Sequence, residues 1–304
     1  MKKLLVLMVL FTSLVTAQTH RFIYEYKYIP NIKEKDSVRK DLMALDINEK
    51  GSVYRSVSKM QQDSAMQAKI MAMSKNMGGG SISVSGGNLT KGTVGYKVTK
   101  EYPNYSVFLT ETAGGDTYKI SEDKKQNWKI SSETKKIGNY NAQKATTDFG
   151  GRSWIAWFST DLPFPDGPYK FHGLPGLIVQ LEDTTGSHIM TLVANKNIAT
   201  PEDDTKEKKV GDVTFSFGKK EIPVTETQFK KAWKSYIADP AKDIRSRGTG
   251  SSSTFGNETT ISTFIYKDAN GKNIDPKDMV KIVESNVKKM LEANNNRIEP
   301  SLFE

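Results

Sequence analysis

Near its start the chain alternates with a period of two. Phe22, Tyr24, Tyr26 and Tyr28 share one side, against Ile23, Glu25, Lys27 and Ile29 on the other. A β-strand turns successive side chains to opposite faces, so this segment reads as a strand with one aromatic face, stopped by Pro30. Such a stripe has to be covered, which commits the chain to a sheet with something packed on it. Alternation returns at Met43, Leu45 and Ile47, and around Val53 and Val57 in 52–58. Further candidates follow at 93–100, 104–110, 116–121, 127–133, 138–148, 151–160, 176–183, 187–195 and 212–217. Most links between them are short and carry turn residues, as in Pro103-Asn104, Gly114-Gly115-Asp116 and Gly150-Gly151. Short links join antiparallel neighbours, because parallel strands need a long crossover.

Three segments break this period. In 59–77, Met66, Ile70, Met73 and Met77 fall on a helical stripe, ended by Gly78-Gly79-Gly80. We read 59–92 as a Met-rich helix with a Gly-rich loop, inserted between strands. Thr225 and Gln228 stand at capping-box spacing ahead of Phe229, Ala232, Trp233, Tyr236 and Ile237, a second apolar helix face closed by Pro240. Asp275-Pro276 begins a last helix, 276–294, striped by Met279, Val283, Val287, Met290 and Leu291. Residues 246–257 are rich in Gly, Ser and Thr and read as a flexible loop, and Phe264 and Tyr266 lead to a hairpin turn at Asp268–Gly271. The expected fold is mainly β: an antiparallel curved sheet or open half-barrel with about three packing helices, the alternative being a β-sandwich.

Lys2 and Lys3, the apolar run Leu4–Val15 and small residues up to Ala17 have the layout of a secretory signal peptide, 1–17, leaving 18–304 as a single β-rich domain. No later run is long and apolar enough to span a bilayer, so an integral membrane protein is not expected. The formal charge is +9, but the lysines are scattered as on a solvated face, and nucleic acid is not an expected partner. The chain has no Cys, which excludes disulfides, thiolate metal sites and a cysteine nucleophile, and only 3 His. No Gly-x-Ser-x-Gly, His-Glu-x-x-His or P-loop occurs, and no metal or cofactor is expected.

The densest stretch is 150–183. Trp154 and Phe158 share one strand face, Ile155 and Trp157 the other, so this strand is apolar on both sides and reads as central. Pro163, Pro165, Pro168 and Pro175 then stiffen an aromatic loop, while Gly167, Gly173 and Gly176 allow positive φ or close backbone approach. A loop of this kind is either packed on the sheet or presented as a surface. Gly173-Leu174-Pro175-Gly176-Leu177-Ile178 is the hexapeptide that names the bacterial GLPGLI family. The order of Trp128-Lys129-Ile130, Gly138-Asn139-Tyr140, Lys144-Ala145-Thr146-Thr147, Gly151-Arg152 and Gly167-Pro168-Tyr169 resembles that family too, as does the tail Asn294–Glu299. Many members carry a Cys where this chain has Gln143. The resemblance implies an exported, largely β protein without assigned biochemistry, often associated with TonB-dependent outer-membrane transporters.

The candidate binding residues are Arg152, Trp157, Phe164, Tyr169, Phe171, His172, Leu174 and Pro175. Arg152 could receive a carboxylate or phosphate, or hold the proline loop by bonding its carbonyls, Asp161 or Asp166. His172 suits a loop-stabilising hydrogen bond better than metal ligation, having no second His close in sequence. Asp161 and Asp166 could serve as an acid–base pair, but both occupy turn positions where Asp bonds its own backbone. The methionines suit core packing better than copper ligation. The expected function is a non-enzymatic periplasmic binding or accessory protein, with an outer-membrane protein such as a TonB-dependent transporter as partner and the loop 161–176 as its surface. The alternative is a carrier of an apolar ligand such as a lipid, and a hydrolase using Asp161, Asp166 or His172 ranks behind both.

Overall fold

The computed structural model describes residues 18–75, 94–201, 208–210, 213–215, 220–247, 250–255, 258–263 and 273–304. The expected signal peptide, the expected Gly/Ser connection after residue 75, Met77, Phe264, Tyr266 and the expected turn at 268–271 lie outside them. The strands are β1 (Gln18–Tyr28), β2 (Arg39–Asn48), β3 (Gly51–Ser56), β4 (Lys97–Glu101), β5 (Ser106–Ala113), β6 (Asp116–Glu122), β7 (Lys129–Ile137) and β8 (Tyr140–Phe149). They continue as β9 (Arg152–Ser159), β10 (Leu177–Asp183), β11 (His188–Ala199), β12 (Lys208–Val210), β13 (Val213–Phe215), β14 (Glu221–Thr225), β15 (Gly250–Phe255) and β16 (Glu258–Thr263). The helices are α1 (Val57–Lys75), α2 (Glu226–Ala238), α3 (Lys242–Arg247) and α4 (Pro276–Ala293).

Twelve strands make one sheet in the order β14-β6-β5-β4-β3-β2-β1-β11-β10-β9-β8-β7. It is mixed, mostly antiparallel and not closed into a barrel, so the open-sheet expectation holds and the sandwich does not. Two meanders build it. β1 to β6 run outward to one side; the chain then crosses to the far edge, and β7 to β11 return until β11 pairs with β1. The one parallel pair among them is β14 on β6, with Glu221 opposite Thr117. The hairpins β12–β13 and β15–β16 stand apart from the large sheet. The second of these lies where the composition of 246–257 suggested a flexible loop; repeated Ser and Thr are compatible with strand pairing.

The register puts the buried residues of most strands on one face. Tyr24 faces Met43, Leu45 faces Tyr54, Tyr54 faces Val98 and Val98 faces Leu109. On the other side Tyr26 pairs with Met190, Met190 with Leu181 and Leu181 with Ala156. The predicted aromatic stripe is therefore the middle of an inner face, covered by the proline loop, α2 and the segment after α4.

α2 starts with the expected capping box: Thr225 Oγ1 accepts from Gln228 N at 3.3 Å, and Gln228 Oε1 accepts from Thr225 N at 2.9 Å. It buries Phe229 and Trp233. α4 starts at the expected Asp275 cap, whose carboxylate accepts from Lys277 N at 2.8 Å. α1 departs from expectation. Met66 and Ile70 are half-buried, Met73 is exposed, and no residue of α1 whose burial is described is fully buried, so the described methionines of α1 are not core filler. No described helix is long and apolar enough to cross a membrane.

Candidate functional site

The proline loop folds inward. Gly173 N donates to Pro165 O at 3.0 Å, Leu177 N to Leu162 O at 3.0 Å and Ile178 N to Asp166 O at 3.0 Å. Tyr24, from the inner face, donates its hydroxyl to Ile178 O at 2.8 Å. Gly176 shows why the hexapeptide needs its second glycine. Its φ is +153°, and a Cβ there would stand 2.2 Å from Ser159 O. Leu174, Leu177 and Ile178 are then buried beneath the turn.

Asp166 locks the loop to β4. Lys100 Nζ reaches its Oδ1 at 2.5 Å and Gly167 O at 2.7 Å, and Tyr102 donates to Oδ2 at 2.5 Å. Burial works against the Asp166 carboxylate, but Lys100 and these hydrogen bonds outweigh it and hold its pKa below the usual carboxylate value. Lys170, also buried, lies 2.9 Å from Glu122 and 2.6 Å from Glu299. Tyr169 donates to Glu299 Oε2 at 2.8 Å while its backbone holds φ +54°, an unusual value for a bulky residue.

These contacts correct the idea of a presented aromatic surface. Tyr169, Phe171 and Leu174 are core residues, and Phe171 sits among Trp128, Phe149 and Trp154. Trp157 is buried on the opposite sheet face, with Lys135 Nζ 4.1 Å from its ring centre. Phe164 is half-buried against Phe22, and half-buried His172 stacks on Tyr105 at 4.7 Å. Burial and Lys100 push the His172 pKa down to about 4. Of the eight candidates only Pro175 is exposed. Asp161 stands in solvent, whereas Asp166 is fully buried with both oxygens bonded, so the two do not form an acid–base pair.

Arg152 binds no loop carbonyl. It lies 2.9 Å from Asp183 and donates to Asn296 Oδ1 at 2.6 Å and to Arg297 O at 2.6 and 3.0 Å. It thus ties the segment after α4 to β9. The glycine turn before it makes room: Gly150 has φ +65°, and a Cβ there would come 2.6 Å from Glu299 Cγ. Asn296 completes the attachment by donating to Ile29 O at 2.8 Å.

The attachment walls one side of an open cavity of about 340 Å³ between the inner face, Tyr169 and the segment from Met290 to Phe303. Tyr26, Tyr28, Tyr96 and Tyr169 supply ring surface, and His188, Glu111 and Arg297 the polar groups. His188 is 1% exposed. Its Nδ1 pairs with the Tyr26 hydroxyl at 2.7 Å, while Nε2 is buried without a hydrogen-bond partner. Carbonyls of Asn296 and Arg297 favour its protonated form without closing a hydrogen bond. Burial and Arg152 nevertheless push its pKa down to about 3, so the ring is neutral at physiological pH. The Tyr96 hydroxyl is likewise buried and closes no hydrogen bond of full geometry, its neighbour being the Tyr26 hydroxyl. Burial raises the Glu111 pKa against the pull of Arg297. The Arg297 guanidinium lies 4.7 Å from the Trp233 ring centre and 4.1 Å from that of Phe303.

Sequence reasoning missed this cavity, although a signal existed. Glu111 falls in step with Val107 and Leu109, and His188 with Met190 and Leu192: ionisable side chains on strand faces that are otherwise apolar. Among the described residues no group of three His, Cys, Asp or Glu side chains is placed to hold a metal ion.

Residues 151–180 match the model of a family described as a protein of unknown function, Porph_ging. No curated protein matches the chain. Two solved structures, described as the structure of PNGF-II in C2 and in P21 space groups, are similar at 17% identity, with TM-scores of 0.44 and 0.42. The similarity covers 83% of this chain and 37% of theirs, so the chain spans little more than a third of the solved chains it matches.

Proposed function

We propose that this chain is an exported, non-enzymatic binding protein of the bacterial envelope, of the GLPGLI type, and that its ligand site is the tyrosine-lined cavity on the inner sheet face. The observation that carries this reading is a pocket large enough for a small molecule, walled by four tyrosines, into which the buried His188 is set with an Nε2 that the Asn296 and Arg297 carbonyls approach but do not bond in full geometry. An unmade buried hydrogen bond costs about 1–3 kcal/mol, and a ligand that supplies the partner recovers it. Ligand cavities span about 300–1,000 Å³, so this one is small and favours a compact polar ligand over a diacyl lipid. The partner in this reading is an outer-membrane protein, a TonB-dependent transporter in the first instance. The loop backs the site from within, and its exposed prolines Pro163, Pro165 and Pro175 are the part a partner could touch.

Gly95 provides the test. It lines the cavity, and a Cβ there meets nothing within 4 Å, so Gly95→Trp fills the space without backbone strain. Native mass spectrometry of protein purified from the envelope, with thermal-shift screening of a metabolite panel, is expected to find a bound small molecule that Gly95→Trp loses. Identical ligand content and identical shifts in the two proteins would refute the cavity. Pull-down of the tagged protein from solubilised envelope reads the partner separately: a stoichiometric outer-membrane transporter is expected, and its absence under cross-linking removes that half of the reading.

A further inference from the structure

Most ionisable groups on the inner face are matched within the protein. Lys100 meets Asp166, Lys170 meets Glu122 and Glu299, and Asp41 accepts from Val94 N at 2.7 Å. Glu111 and Arg297 differ. The Glu111 carboxylate accepts one backbone N–H, that of Thr112 at 3.2 Å, and among the described residues no cation forms a salt bridge with it. The Arg297 guanidinium packs against two aromatic rings, and none of its N–H groups is bonded to an acceptor among the described residues. Both line one cavity and attract each other across it, yet they form no salt bridge.

A guanidinium set between two rings, its N–H groups without acceptors among the described residues, suits a planar, two-oxygen acceptor such as a carboxylate. A free carboxylate in the same cavity accepts from an ammonium. A ligand with a single charge would neutralise one of the two and leave the other without the attraction it now feels across the cavity, which is costly in a partly desolvated space. A zwitterion matches both and leaves the cavity's formal charge unchanged. The rest of the lining suits an apolar body: Tyr26 stacks on Tyr28 with ring centres 4.9 Å apart, and Tyr96 meets Tyr169 edge-on at 5.3 Å. His188 Nε2, bonded in full geometry to no protein group, adds a polar atom for the ligand, whichever imidazole nitrogen carries the proton.

We infer that the cavity binds a free amino acid or short peptide with an apolar or aromatic side chain, its carboxylate on Arg297, its ammonium on Glu111 and its side chain against the tyrosines. This rests on the cavity being the ligand site and adds the ligand's class.

Full-length protein is titrated calorimetrically with leucine, phenylalanine, tyrosine, tryptophan and their dipeptides. Two analogues of the best ligand follow, one lacking the ammonium (phenylpropanoate for phenylalanine) and one lacking the carboxylate (phenethylamine). Removing either charged group is expected to weaken binding about 10–100-fold. Arg297→Gln should abolish the advantage of the amino acid over the amine, and Glu111→Gln its advantage over the acid. Arg297→Lys and near-ultraviolet circular dichroism separate loss of recognition from loss of fold. An analogue that binds as well as the parent amino acid overturns the zwitterion. So does binding of a probe from another class, a monosaccharide or fatty acid, that Gly95→Trp removes while no amino acid or dipeptide binds; that result leaves the cavity reading standing. If no probe of any class shows binding sensitive to Gly95→Trp, both readings fail together.

Discussion

At the scale of single residues, Gly176 and His188 define two kinds of constraint. Gly176→Ala places a methyl group against Ser159 O in a conformation that L-residues rarely adopt. The backbone conformation alone should cost about 1–3 kcal/mol, read as a lower urea midpoint with an unchanged slope. A midpoint equal to that of the parent protein would mean that the hexapeptide's second glycine is not required by the turn. His188 makes stability depend on pH. Its folded pKa, about 3, lies below the unfolded value of 6.5, so in that window the unfolded chain binds the extra proton. Stability is therefore full above pH 6.5 and falls as the pH drops toward the folded value, with a slope of up to about 1.4 kcal/mol per pH unit from this residue. His172, depressed to about 4, acts in the same direction. Thermal melts at closely spaced pH values should show this slope, and His188→Gln should flatten it.

At the scale of elements, most of the large sheet was legible in the sequence because its strands alternate and its turns carry Gly, Pro and Asn. β1, β2 and the run from β4 to β11 fall within a few residues of their expected positions. β14 was not legible. It is short, contains Pro223 and pairs in parallel with β6, about a hundred residues earlier, so neither period nor turn announces it. The Met stripe misled for the opposite reason: its period is helical, but among the described residues no dense layer buries α1. The loop was legible as stiff but not as buried, because its burial depends on Lys100, far away on β4. That pair gives the prediction at this scale. Lys100→Met leaves Asp166 buried without its cation and should cost about 3–5 kcal/mol. Adding Asp166→Asn should restore part of it, so a double-mutant cycle by chemical denaturation should return a large coupling energy, and additive effects would dissolve the lock.

At the scale of the whole molecule, the cavity draws on β1, β5, β11, the loop and the segment after α4, and that dispersion hid it from a reading of local pattern. Gln18 pairs with Ala199, so closing the two meanders joins residues some 180 positions apart. Non-local pairing of this kind predicts refolding in the millisecond-to-second range in stopped-flow fluorescence. Removing residues 296–304 should lower stability by several kcal/mol, a fall in Tm on the order of 10 °C, because Arg152, Tyr169 and Lys170 lose acceptors together. An unchanged melt would detach that segment from the fold. The Arg152 tether also carries a consequence for biosynthesis. A chain delivered from its N-terminus has every strand of the large sheet in hand by Thr225, yet it lacks the guanidinium of the cavity until Arg297 arrives. If the cavity binds as proposed, competence to bind trails assembly of the scaffold by some seventy residues, so an interrupted chain would be sheet-forming but ligand-blind, and occupancy would report that synthesis has run past the last helix.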